Sequence, residues 1–183
     1  KTLSSEHYGM VLKMLLTGSV AMLDPADHLL QLLEDHAEGV GEFKFVLAEQ
    51  YLLRHRLADA ESLLDSIVDE KSQIYSTALR GTLALLLGET QLSLDYYATA
   101  TKLARKQINK KAVIGGIAGL FYMLALLKSG DPKHLKQAIN LSTPLMQSSG
   151  YLSNAYKLLH QLTTLYQGNL SSRQRLLELI EFY

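Results

Sequence analysis

Apolar residues recur along this chain at steps of three and four, the spacing that lines one face of an α-helix, rather than in the alternation of a half-buried strand. The stretch Phe43–Ala104 carries the pattern most clearly. It reads as two consecutive helix–turn–helix hairpins, the second echoing the first at an offset of 33 residues: Ala48 pairs with Gly81, His55 with Gly88, Ala60 with Ser93 and Leu64 with Tyr97. Each copy places a small residue midway along a first helix, then a turn, then a small and a bulky residue in a second helix. Two helices approach closely only where small side chains separate their backbones. Ala48 and Ala60, and then Gly81, Ser93 and Ala100, are therefore expected at the crossings. Leu47, Tyr51, Leu57, Leu64 and Ile67 fill the space around the first crossing, and Leu83, Leu86 and Tyr97 around the second. The turns Arg54-His55-Arg56 and Leu87-Gly88-Glu89 are short, which makes the helices they join antiparallel neighbours. Self-similarity at such a period, without strand signals, marks a helical repeat array.

The rest of the chain extends the pattern on both sides. Leu3–Thr17 is expected to form one helix, ended by Gly18-Ser19. Asp24-Pro25 opens another, Asp24 capping free N–H groups and Pro25 fitting the first turn, with Leu29, Leu30, Leu32 and Leu33 as its apolar side. A linker around Ile108–Lys111 leads to a glycine-rich helix, Val113–Ser129. Gly115, Gly116 and Gly119 each cost about 1 kcal/mol against Ala inside a helix. Either the helix backbone approaches a neighbour very closely there, or the helix starts late and Ala112–Gly116 is irregular. Gly130-Asp131-Pro132 provides a stop and a restart. Pro144 is expected to kink or split the next helix. Tyr151–Gln167 forms a further one, Gly168-Asn169 a turn, and Ser171 or Ser172 caps the last. The expectation is a single all-α domain over residues 1–183, about ten helices in five hairpins.

Leu47, Ala48, Tyr51, Ala60 and Leu64 resemble the tetratricopeptide-repeat (TPR) pattern, and Gly81, Gly88, Tyr97 and Ala100 match a second copy. Ser93 stands where that pattern has Ala and Ala84 where it has an aromatic, and its Pro after the second helix is absent from both copies, so the chain is TPR-like. The resemblance implies a right-handed superhelix of antiparallel hairpins, a non-catalytic scaffold whose inner groove holds a partner protein or peptide. Lys44, Glu49, Gln50, Arg80 and Thr82 are the polar first-helix positions that would face such a partner.

A second resemblance rests on Ala78-Leu79-Arg80-Gly81, Leu85-Leu86-Leu87-Gly88, Gly119-Leu120-Phe121-Tyr122 and Leu126-Leu127-Lys128-Ser129-Gly130-Asp131-Pro132. These runs are similar to a helical-repeat region of large bacterial SNF2-type helicases that lies outside the ATPase motor. The similarity covers Ala78–Ala138 and includes no helicase motif. It implies an accessory region of a nucleic-acid-dependent ATPase, nucleic acid being engaged through the longer chain. The basic cluster Lys102, Arg105, Lys106, Lys110 and Lys111 would then touch phosphate. Without that resemblance, cations at the end of a helix simply favour its macrodipole.

Composition narrows the function classes. At 183 residues, 48% hydrophobic and 20% charged, the chain has the balance of a globular domain. Eighteen Lys and Arg against eighteen Asp and Glu leave no global field for a polyanion or a membrane surface. The absence of Cys removes disulfides, thiolate nucleophiles and Cys-based zinc sites, and it suits the expectation of a cytoplasmic protein. The longest apolar runs, such as Val11–Leu16 and Leu83–Leu87, fall far short of the ~20 residues of a membrane span. The chain starts at Lys1 and stops on Leu179-Ile180-Glu181-Phe182-Tyr183, where repeat arrays usually carry a polar cap. It is expected to be a piece of a longer polypeptide.

Candidate chemistry is sparse. The six histidines form no His-x-x-x-His or His-Glu-x-x-His pair, and His28 and His36 are eight residues apart, so no metal is expected. Gly115-Gly116-Ile117-Ala118-Gly119 lacks the Lys-Ser/Thr ending and preceding strand of a phosphate loop, and close helix packing explains it better. There is no Gly-x-Ser-x-Gly elbow. No catalytic residue and no cofactor are expected. Among ten tyrosines, Tyr51, Tyr97, Tyr122 and Tyr156 occupy filling positions, while Tyr75 and Tyr96 beside them are contact candidates.

Overall fold

A computed structural model describes residues 30–31, 33–35, 41–67, 73–148 and 152–168, and every regular element among them is helical. The helices are α1 (Gly41–Leu53), α2 (Leu57–Asp65), α3 (Gln73–Leu86), α4 (Thr90–Gln107), α5 (Gly116–Ser129), α6 (Pro132–Ser148) and α7 (Ser153–Tyr166). Residues 30–31 and 33–35, ahead of α1, are helical too. The expectations for Leu3–Thr17, Gly18, Asp24-Pro25, Ser171 or Ser172 and the apolar end lie outside the described residues.

The 33-residue echo is present in the backbone itself. After α1 the Arg56 N–H donates to the Tyr51 carbonyl (2.8 Å) and the His55 N–H to that of Leu52 (3.1 Å). After α3 the Glu89 N–H donates to Ala84 (2.8 Å) and the Gly88 N–H to Leu85 (3.0 Å), every atom 33 residues on. These are the two bonds of a Schellman ending, which needs a left-handed residue between them. His55 (φ 59°) and Gly88 (φ 89°) fill that place. The following residues also match: Arg56 has φ −82°, ψ 66° and Glu89 φ −83°, ψ 66°, each starting the next helix.

Each helix packs on the next, and α1, α3, α5 and α7 also touch in succession. The small residues expected at the crossings, Ala48, Ala60, Gly81, Ser93 and Ala100, are all buried. Ser93 explains its own departure from Ala. Its hydroxyl donates to the Gly81 carbonyl across the crossing (2.7 Å). A Cβ on Gly81 would come within 3.0 Å of the Tyr97 ring, so the glycine makes room for a fully buried aromatic.

Both alternatives raised for the glycine-rich stretch occur. The helix starts late, with residues 112–115 irregular and Gly116 at φ 65°. Gly119 meets a close neighbour: an added Cβ would overlap the Tyr156 hydroxyl and lie 2.5 Å from the Ile114 carbonyl oxygen. Gly130 (φ 67°) ends α5, and Asp131 caps α6 by accepting from the Lys133 N–H (2.7 Å). Of the two outcomes expected at Pro144, the split does not occur: α6 runs through it as one helix. Proline removes one N–H from the ladder, but the buried Leu141 and Leu145 on either side hold the chain to the core.

Candidate functional site

A cleft of about 370 Å³ opens where α4, α5 and α6 meet. Its floor is Tyr122 of α5, whose position is set from the crossing below. Gly81 leaves space for the Tyr97 ring, and Tyr97 stacks on Tyr122 with ring centroids 4.6 Å apart and planes 16° from parallel. The Tyr97 hydroxyl lies 2.8 Å from Thr82 Oγ1, which fixes the lower ring within its plane. Above, the Gln137 amide of α6 donates to the Tyr122 hydroxyl (2.5 Å). Burial pushes the Tyr122 phenol above its ordinary pKa, with the Arg105 charge pulling the other way, so the floor is a neutral hydroxyl at pH 7.

The walls are cationic. Helix α4 contributes Thr101 and Arg105, one turn apart, and α6 contributes Lys133, Lys136, Gln137 and Asn140. The α6 residues follow the i, i+3, i+4, i+7 spacing, so they form a single stripe that continues into buried Leu141. Among the described residues no carboxylate lines the cleft. Arg56 pairs with Glu34 and Asp59, and Arg80 with Asp65, and none of these pairs involves Arg105, Lys133 or Lys136. A guanidinium fork, two ammonium groups and side-chain amides on rigid helices are equipment for holding an anion.

Two other clefts lack this character. The larger, about 530 Å³, is lined by Lys44, Tyr51 and Ser62, together with Glu34, Arg56 and Asp59. Three of its four charged groups already meet one another. Arg56 bonds Glu34 (2.9 Å) and Asp59 (2.7 Å) and covers the Tyr51 ring at 4.2 Å. The Tyr51 hydroxyl donates to Glu34 (2.9 Å), and burial together with that carboxylate pushes its pKa up to about 12. The third, about 250 Å³, is mostly apolar, between Ile74, Ala78, Ala104, Ile108 and Ile114.

The residues singled out from sequence are dispersed. Glu49, Gln50 and Thr82 are fully buried, and each turns one side-chain oxygen to a neighbour in the chain. Glu49 accepts from the Tyr75 phenol, Gln50 from Arg54 (2.5 Å), and Thr82 meets Tyr97. Arg80 pairs with Asp65 (2.8 Å) and donates to the Leu64 carbonyl (3.0 Å). Lys44 lines the second cleft. Of the basic cluster, Lys102, Lys106, Lys110 and Lys111 are exposed on α4 and the linker, and Arg105 lines the cationic cleft. Tyr75 packs edge-on against Phe45, and both Tyr75 and Tyr96 are half-buried.

Lys133, Lys136, Gln137 and Asn140 did not emerge from the sequence as a group. The available signal was a polar stripe at helical spacing beside the apolar one, with two lysines and no acid in it. Two Ser–His contacts are also new. Ser129 Oγ lies 2.8 Å from His134 Nδ1, and Ser142 Oγ 2.7 Å from His160 Nδ1. Ser142 is fully buried, so the second contact ties α6 to α7, and burial pushes the His160 pKa down.

Among the described residues no three potential metal ligands gather, and no helix is long and apolar enough to cross a membrane. Comparison with protein-family models, with curated proteins and with solved structures found no match to this chain.

Proposed function

We propose that this chain is a TPR-like array of helical hairpins that binds a segment of a partner protein without catalysis, and that the cleft between α4 and α6 holds a negatively charged group of that segment. The observation that carries this reading is the cleft itself. Three cations from two helices line it with no carboxylate among them. The array half of the proposal draws on the 33-residue recurrence of turn hydrogen bonds and on the succession of α1, α3, α5 and α7. A receptor whose helices are already ordered loses little entropy on binding.

The test is fluorescence anisotropy of short acidic, neutral and basic peptides with the full chain. Acidic peptides should bind, weakening with salt, and Lys136→Glu should abolish the preference. Equal binding of all three would refute the proposal.

A second reading, an accessory region of a nucleic-acid-dependent ATPase, draws on the exposure of Lys102, Lys106, Lys110 and Lys111 beside Arg105. It requires binding to short DNA or RNA that falls with salt and is lost on charge reversal at Lys106 and Lys110.

A further inference from the structure

We infer that the cleft between α4, α5 and α6 is a site for a phosphate monoester dianion, carried on a phosphorylated side chain of the partner. This rests on the partner-segment reading above and names the chemistry of its charged group.

Charge is the first argument. Arg105, Lys133 and Lys136 bring three positive charges to one cleft with no acidic lining residue among the described ones. A lone carboxylate carries one negative charge and would leave two cations facing each other uncompensated. A phosphate monoester carries about −1.5 to −2 at pH 7 and spreads it over three acceptor oxygens. Donor geometry is the second. The Arg105 fork suits two of those oxygens, and an ammonium group can serve the third as a point charge. Asn140 adds an amide, whereas Gln137 already uses its own to hold Tyr122 (2.5 Å).

Size and wall chemistry point the same way. About 370 Å³ exceeds a bare phosphate and leaves space for the stem that carries it. Val113 and Leu141 supply apolar walls for such a stem. The floor is held by the Tyr97–Tyr122 stack, so the cations are presented by a packed support. The competing clefts fail on the same criteria: the larger is lined by the carboxylates of Glu34 and Asp59, which pair with its Arg56, and the third offers no cation.

The experiment titrates the full chain with three labelled forms of one short, otherwise neutral peptide: phosphoserine, glutamate and serine at the central position. Phenyl phosphate is added separately as a small phosphate monoester. The phosphoserine form should bind on the order of ten-fold or more tightly than either other form, and phenyl phosphate should compete. Lys136→Gln and Arg105→Gln, both at exposed side chains, should each weaken that binding about ten-fold, whereas Lys110→Gln in the linker should not. Far-UV circular dichroism and an unchanged denaturation midpoint establish that each variant is folded, and the comparison of peptides on the parent chain stands without any variant. Equal affinity for the phosphoserine and glutamate forms would overturn the phosphate inference and leave the acidic-segment reading in place. Binding of phenyl phosphate, lost in Lys136→Gln, with no binding of any peptide would support the phosphate site and overturn the partner segment as its source. Loss on Lys110→Gln equal to that on Lys136→Gln, or a short DNA oligonucleotide outcompeting the phosphopeptide, would overturn the cleft in favour of the linker lysines. No binding of any probe would overturn both proposals.

Discussion

Gly119→Ala tests the packing of α5 most directly, because two effects of opposite sign meet there. In an open helix, Ala in place of Gly gains about 1 kcal/mol. Here the new methyl would overlap the Tyr156 hydroxyl and sit 2.5 Å from the Ile114 carbonyl oxygen. One of these neighbours is backbone, and the other is a fully buried ring whose hydroxyl donates to the Gly116 carbonyl (2.7 Å). Making room means moving α7 away or rotating Tyr156 out of that bond. Overpacking costs about 1–3 kcal/mol, and loss of the hydrogen bond about 1 kcal/mol more. Set against the helix gain, the net loss is about 2 kcal/mol, or roughly 4–8 °C in Tm for a chain of this size. Urea unfolding followed by far-UV circular dichroism measures it. Tyr156→Phe removes the bond and one of the two overlaps, so Gly119→Ala combined with it should cost less than the sum of the two single changes. A midpoint for Gly119→Ala equal to or above that of the parent would refute the close approach.

His55→Gly should raise the unfolding midpoint, because His55 holds a left-handed backbone (φ 59°) that costs a residue with a Cβ about 1–2 kcal/mol, and its side chain is exposed. An unchanged or lower midpoint would mean the side chain contributes more than the strain. Burial lowers the His160 pKa in the folded state, so below its unfolded value, about 6.5, the unfolded chain binds more protons and stability falls with pH until the folded pKa is passed. His160→Asn should therefore flatten the decline in denaturation midpoint between pH 7 and the folded pKa, and an identical pH profile would exclude His160 as a cause.

Much of the architecture was legible in the chain because it depends on local periodicity. Small residues at Ala48, Ala60, Gly81 and Ser93 mark crossings by their size alone, and each is buried where the pattern placed it. The stop and restart at Gly130-Asp131-Pro132 was equally plain, since Gly, Asp and Pro each act on the backbone within a few residues. Pro144 left a kink and a split both open for the opposite reason. A proline's local cost is known, but whether a helix continues past it depends on burial that flanking leucines obtain from other helices.

The site was hardly legible. Glu49, Gln50 and Thr82 look like surface positions because they are polar, yet each lies buried against a neighbour that the sequence does not place beside it. Arg105 stood out only as one member of a basic run, and its association with Lys133 and Lys136 reaches across the linker and the whole of α5. The chain alone therefore determined helix content, the 33-residue echo and the small residues that let helices cross, all consequences of spacing along one backbone. Which charges gather in one cleft, which meet an opposite partner and which polar groups turn inward were decided only by the packing of the helices on one another, because charge acts through space and sequence distance does not measure it.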